Sequence, residues 1–398
     1  MPHAGPLWLR TLPYVWAALL AMAVASFLTR LHGQEPVALY RALFLGTLGS
    51  AYGFGQVLFK ATPLLCTGLS VALAFRAGLF NVGAEGQIIV GALCCALCGA
   101  YVPAPAVLLL PMCVLSAFLG GGLLGAFAGF CKTVCRAHEV IVTILMNFLV
   151  RAVLVGLGGY LFMRESVHTA PISQAARLPR LSVLFSSLHG SAANLALGLA
   201  VALAVIVHFL LSKTRFGFAV RVVGQNPDAA AASGISLPRI QVWAFGLAGG
   251  LAGLGGVNFV LGYKCYYEDG FSSGVGYLGI AVAVLAQSRP LWLLVSALFF
   301  GLLAQGGLAV AALVPRELID VLSAVVILVV ATAVPEVSRL LPRFAPQTGD
   351  RPAPLPGKEG PAPGTHQAMP PESPAAPGQQ CDAPRADHAQ TFYSQASR

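Results

Sequence analysis

Gly78-Leu79-Phe80-Asn81-Val82-Gly83-Ala84-Glu85-Gly86-Gln87 sets an Asn, a Glu and a Gln among three glycines. Apolar runs flank it on both sides, at residues 64–75 and 88–100. A carboxylate between two such runs is costly in hydrocarbon unless it is paired, hydrated or at the membrane surface. The stretch therefore reads as a polar break inside a membrane bundle.

Composition agrees. Hydrophobic residues make up 57% of the 398-residue chain and charged residues 10%, against about 25% charged in a soluble domain. So few charges cannot cover a water-facing surface, which makes lipid the solvent. The net charge of +9 does not point to nucleic acid, because Lys and Arg are scattered between apolar runs and form no dense patch. In that placement they mark orientation.

Outward from the break, about ten segments have the character of membrane helices, which need roughly 20 apolar residues. They cover residues 12–28, 57–75, 88–100 with part of the break, 104–130, 140–162, 192–211, 240–262, 275–286, 291–314 and 318–334. The first also fits a signal peptide, with Ala23-Val24-Ala25 as its cleavage site; an uncleaved helix is simpler. Residues 275–286 are too few to cross unaided, so they form half of a broken helix or a tilted one extended by its glycine-rich start. Arg10, Arg76, Lys132, Arg136, Lys213, Arg215 and Arg221 mark inner loops, and ten crossings then place both termini in the cytoplasm. Arg164, Arg177 and Arg180 fall in an outer loop, against the trend.

The expected fold is an all-α polytopic membrane protein, a bundle of about ten transmembrane helices with some broken or re-entrant. Residues 1–56 form an N-terminal helix and loop, 57–335 the membrane domain, and 336–398 a Pro-rich tail with too little apolar surface to order itself. Residues 164–191 read as an outer cap with short helices. Gly121, Gly125 and Gly129 recur at every fourth position, as do Gly246 with Gly250 and Gly249 with Gly253; this spacing lets helix backbones approach closely in lipid.

Enzymatic motifs are missing. There is no Gly-x-Ser-x-Gly elbow, no His-Glu-x-x-His and no P-loop. Of nine cysteines, Cys94, Cys95 and Cys98 lie in an apolar run, and Cys131, Cys135 and His138 lack a second ligand pair of zinc spacing. No metal, cofactor or catalytic residue is expected. Paired acids inside the apolar segments are missing too, so active transport would draw its energy from a partner.

Residues 213–238 suggest where that partner acts. Asn226 is a good helix N-cap, Pro227 suits the first helical position and Asp228 complements the positive helix end. Ala229 to Ala232 propagate the helix, and Gly234 can end it in a left-handed cap. About two turns are too short to stand alone. This helix docks either on its own membrane domain or in the groove of a partner.

Four stretches carry a family resemblance: Phe75-Arg76-Ala77 leading into the break, His138-Glu139-Val140-Ile141-Val142-Thr143, Asn226 to Gly234, and Gly276-Tyr277-Leu278-Gly279-Ile280-Ala281-Val282-Ala283. From about residue 57 to 334 the chain resembles permease subunits of ATP-binding-cassette importers, in the branch with simple-sugar, nucleoside and branched-chain amino-acid permeases. The first stretch resembles the nucleoside-type subgroup. His138 stands where the family usually has Asn. The resemblance implies that Asn226, Pro227, Asp228, Ala229, Ala232, Ser233 and Gly234 form a coupling helix on an ATPase subunit. It also implies two ATP-binding subunits, a second permease subunit (identical or related) and an external solute-binding protein, all at the inner membrane.

The same resemblance makes Asn81, Glu85, Gln87, Glu139, Thr143, Asn147 and Asn258 candidates for the translocation path. Glu139, Thr143 and Asn147 share a helix face, which lines either a path or an interhelical contact. Asn81 and Glu85 sit in a re-entrant turn facing the path, or in a tight loop capping the next helix. Asn258, Tyr263, Tyr266 and Tyr267 either meet a ring-bearing solute or anchor the membrane interface. A nucleoside is the first expectation for the solute, then riboflavin, then a simple sugar. The rival class is a self-sufficient secondary transporter or channel.

Overall fold

The computed structural model describes residues 19–311 except 21 and 32, together with 321, 324, 325 and 328. Among them regular structure is helical, with three isolated β-bridges and no strand. Helices α1 (Met22–Leu31) and α2 (Pro36–Thr47) come first. They are followed by α3 (Ala51–Arg76), α4 (Ala84–Tyr101), α5 (Ala106–Val134), α6 (Glu139–Leu161) and α7 (Ala196–Lys213). Two short helices, α8 (Arg215–Gln225) and α9 (Pro227–Ala232), lead to α10 (Leu237–Phe259), α11 (Val275–Leu285) and α12 (Trp292–Val310).

Seven of these are long and apolar enough to cross a membrane: α3 to α7, α10 with its π-helical extension to Lys264, and α12. They correspond to seven of the ten expected segments. The expectation at 275–286 resolves as half of a broken helix, because α11 has only 11 residues. The first segment is represented by α1, of 10 residues at most in the described part. The tenth segment and the Pro-rich tail lie outside the described residues, apart from the four isolated positions.

Helix α10 is the axis of the bundle and packs against α3, α4 and α5. In its most apolar stretch 83% of residues are buried, against 28% in each of α5, α6 and α7. The glycine repeats explain how so many neighbours fit. A Cβ on Gly125 of α5 would strike the Phe245 carbonyl oxygen of α10, and one on Gly249 of α10 would strike that of Gly121. The two backbones touch, and van der Waals packing replaces the hydrophobic drive that is missing in lipid. The peripheral α7 turns Val205, Ile206 and Phe209 outward, as a lipid-facing surface should, and α6 exposes Phe148, Leu149 and Val155.

Helix α11 runs beside α3. At its start the Thr67 hydroxyl of α3 donates to the Val275 carbonyl at 3.3 Å; beyond its end Arg76 Nε donates to the Ser288 carbonyl at 3.2 Å. Nine α-helical steps from Thr67 to Arg76 span about 13–14 Å. Helix α11 thus begins deep within the bundle and ends level with one face. At the opposite end, the connection between α6 and α7 folds as three short 3₁₀ turns (Gln174–Ala176, Leu181–Val183 and Ser186–Leu188). It is laced to the end of α10 by Ile172 N to Cys265 O at 2.8 Å, Thr169 N to Tyr267 O at 2.9 Å and Leu178 N to Leu261 O at 2.9 Å.

Candidate functional site

A helix that starts inside a bundle leaves its first N–H groups without partners, and no bulk water is there to satisfy them. Glu85, in the first turn of α4, does so for α11. Its Oε1 accepts from Ser272 Oγ at 2.6 Å and Gly274 N at 3.1 Å, and its Oε2 from Gly276 N at 2.8 Å. The carboxylate is fully buried and sits at the positive end of α11, where an anion is stabilised. Gly276 is what lets the two elements meet, since a Cβ there would overlap the backbone of Glu85. Glu85 is thus a cap, for a helix 191 residues further along the chain and not for its own.

Helix α4 begins at the same depth and is capped from outside in turn. Asn147 Oδ1 on α6 accepts from Gly86 N at 2.8 Å, while its Nδ2 donates to Val82 O at 3.0 Å and to the Tyr277 hydroxyl at 3.2 Å. Asn81 and Gln87 pair through both amides, at 2.8 Å and 3.2 Å. Asn81 also donates to Ser70 Oγ at 3.0 Å and accepts from Gly83 N at 3.1 Å. Thr143, one turn before Asn147, is buried and donates to the Glu139 carbonyl at 2.8 Å.

Five of the seven proposed path residues (Asn81, Glu85, Gln87, Thr143 and Asn147) therefore converge on one junction, where α4 and the short α11 begin. The other two lie elsewhere. Glu139 pairs with Lys132 at 2.7 Å near the end of α6. Asn258 on α10 donates to the Phe59 carbonyl at 3.1 Å and accepts from Asn194 Nδ2 at 3.0 Å. Phe59 lies four residues before Pro63, which has no N–H to offer it; Asn258 replaces that missing donor.

Three side chains of the junction were not among the expected path residues: Ser272, Arg151 and Tyr277, the last noted only within the stretch 276–283. Arg151 Nη2 lies 3.4 Å from Glu85 Oε1, with the arginine side chain 56% exposed. Its signal in the sequence is a lone cation in the middle of the apolar run 140–162.

The short helix forms as its caps dictate. Asn226 Oδ1 accepts from the N–H groups of Asp228 and Ala229, each at 3.1 Å. At the other end Gly234 is left-handed at φ 76°, and Ile235 N closes on the Ala230 carbonyl at 3.0 Å. Ala230 is buried and every other residue from Asn226 to Gly234 is exposed. Helix α9 therefore rests on the bundle by one side chain and presents the rest outward. Its neighbour α8 touches the break itself, since a Cβ on Gly224 would strike the Arg76 carbonyl and lie 2.8 Å from Gly78 N.

At the end covered by the 3₁₀ connection, Tyr263 packs on Phe59 with centroids 5.0 Å apart and is 38% exposed. Tyr266 stacks on His168 at 4.5 Å. Tyr267 is fully buried, and that burial raises its hydroxyl above the usual tyrosine range. Among the described residues no three His, Cys, Asp or Glu side chains come together in a metal-like group.

The family described as branched-chain amino acid transport system, permease component, matches residues 53–331. A glucose ABC transporter permease protein of Haloferax volcanii, TsgB13, is 33% identical over 348 residues, covering 82% of this chain and 89% of the relative. The guanosine ABC transporter permease protein NupP of Bacillus subtilis is 34% identical over 326 residues, covering 80% and 92%. A nucleoside ABC transporter permease protein of Lactococcus lactis, NupB, is 32% identical over 308 residues, covering 75% and 84%.

Proposed function

We propose, from the premise that this chain belongs to the family of branched-chain amino acid transport system permease components, that it carries a nucleoside or a related ring-plus-polyol solute into the cell. It is the membrane permease of an ATP-binding-cassette importer, a transport component and not an enzyme. The observation that carries the solute reading is that two of the three relatives above are permeases for guanosine or nucleosides. The glucose relative makes a simple sugar the alternative.

In this reading the chain sits in the inner membrane with both termini in the cytoplasm. Arg76, Lys132, Arg136, Lys213, Arg215 and Arg221 put the face that bears α9 inside. Helix α9 inserts into a groove of an ATP-binding subunit; its exposure along Asn226 to Gly234 supports that assignment. Two ATPase subunits close on ATP and pull the coupling helices. A second permease subunit, identical or related, completes the path, and an external solute-binding protein delivers the solute.

Asn81, Glu85, Gln87, Thr143 and Asn147 serve the path by holding α4 and α11 in register beside it. Glu139 and Asn258 stabilise its inner and outer ends. A broken helix at mid-depth is the recurring way that transporters bring polar groups to a solute.

The test is uptake in proteoliposomes. The chain assembled with its ATPase and second permease subunits, and supplied with its binding protein, should accumulate labelled guanosine or another nucleoside only with ATP. Solute flux through this chain alone, driven by a sodium or proton gradient, would favour a secondary transporter.

A further inference from the structure

We infer that Arg151 contacts the solute in the path, and that the surface it shares with Tyr277 takes a neutral, ring-bearing molecule rich in hydrogen-bond acceptors. The inference deepens the uptake reading and rests on it. Arg151 lies 12 residues from Glu139 and 10 from Leu161, the ends of α6, or about 18 and 15 Å. That is too deep for its side chain to snorkel to either surface. A guanidinium stays protonated in proteins, and facing lipid at mid-helix costs about 3 kcal/mol or more. Yet the side chain is 56% exposed in this chain. Its open side faces something other than lipid.

The ion pair with Glu85 does not use up this group. It is one contact at 3.4 Å, while shorter bonds from Ser272, Gly274 and Gly276 already occupy the carboxylate. A guanidinium has five N–H donors, and among the described residues Arg151 makes one hydrogen bond through them. The remaining donors have no protein partner among the described residues, and the side chain is more than half exposed.

Charge then narrows the solute. Glu85 and Arg151 cancel, so an anion meets the buried carboxylate behind the arginine and a cation meets the arginine first. A neutral molecule with carbonyl, hydroxyl or ring-nitrogen acceptors suffers neither repulsion. Tyr277 adds a flat surface. Its hydroxyl is held by Asn147, one turn before Arg151 on α6, and the residue is 41% exposed. A phenol bonded to α6 one turn from a guanidinium offers a stacking face and donors to one ring-bearing solute.

The experiment uses the assembled transporter with its binding protein and labelled guanosine as probe. R151M should assemble and hydrolyse ATP as the wild type does, yet take up solute at least tenfold more slowly. R151K, which keeps a charge but not the planar fork, should recover part of the rate. Independently, the R151C thiol should react with a membrane-impermeant charged methanethiosulfonate faster than the native cysteines do, and excess guanosine should slow that reaction. Wild-type uptake by R151M, or an R151C thiol as inert as one covered by lipid or a second chain, overturns the inference and leaves the permease reading standing. No ATP-driven guanosine uptake by the wild-type assembly overturns the nucleoside reading on which the inference rests.

Discussion

Replacing Glu85 with Gln removes one charge and exchanges one oxygen for an amide, with almost no change in volume. The carboxylate uses both oxygens on buried donors: Oε1 on Ser272 and Gly274, Oε2 on Gly276. Glutamine keeps one acceptor. If that oxygen stays with Ser272 and Gly274, the new NH₂ faces the Gly276 N–H, donor against donor. A buried group left without its partner costs about 1–3 kcal/mol. Losing the anion at the start of α11 adds about 0.3–2 kcal/mol. The sum, roughly 1.5–5 kcal/mol, is large against the marginal stability of folded proteins. Thermal melting in detergent, followed by fluorescence-detected size exclusion, should show a clear loss for Glu85→Gln and a smaller one for Glu85→Asp, which keeps the charge but shortens the reach. Uptake per folded molecule should fall less than the yield does. A Gln variant that melts with the wild type and has lost uptake would refute the capping argument, because the carboxylate would then serve the solute and not α11.

Gly249→Ala drives a methyl into the Gly121 carbonyl and should cost about 1–3 kcal/mol by overpacking, whereas Gly156→Ala on α6 meets nothing within 4 Å and should be neutral or stabilising by up to about 1 kcal/mol; melting of the two variants checks the pair. Asn147→Ala strips the cap from Gly86 N and the donor from Val82 O, so a loss of about 2–4 kcal/mol is expected from one buried and one half-buried group left unpaired, read in the same assay. Asn226→Ala removes the acceptor for Asp228 and Ala229; about 1 kcal/mol of helix stability should appear as weaker co-purification of ATPase subunits with little change in the melting of the bundle. Deleting 226–233 should abolish that co-purification, and full recovery of ATPase after the deletion would show that α9 is not the coupling element.

The local parts of this structure were legible in the sequence because their causes are local. Asn226, Pro227 and Gly234 specify a two-turn helix from within nine residues, and the brevity of 275–286 already narrowed that segment to half of a broken helix or an extended, tilted one. The glycine spacing announced close packing but not its partner, since α5 and α10 meet through residues more than a hundred positions apart. Long range is also why Glu85 was ambiguous. Its donors Ser272, Gly274 and Gly276 lie 187 to 191 residues away, and nothing around residue 85 names them. Arg151 escaped notice for a different reason. Scanning for membrane helices tolerates a single charge in a long apolar run, whereas that charge, too deep to reach either surface, is itself the signal.

The opening stretch also ties the two functional regions together in a way composition could not reveal. Its first glycine, Gly78, is left-handed at φ 70° and packs against Gly224 near the end of α8, two residues before the Asn226 cap of α9. Its Glu85 holds the start of α11. Six residues therefore separate the contact made by the proposed coupling segment from the cap of the broken helix, and Asn81 and Gln87 lock those residues into one unit. The Ser288 carbonyl just past the other end of α11 is held by Arg76, so both ends of that half-helix are fastened to the same short stretch of chain. A displacement of α8 that shifted Gly78 would have to carry this unit with it or break its buried hydrogen bonds, each costly to leave unmade. If α9 couples to an ATPase as proposed, the polar break is placed to transmit its movement to the depth at which Arg151 and Tyr277 stand open.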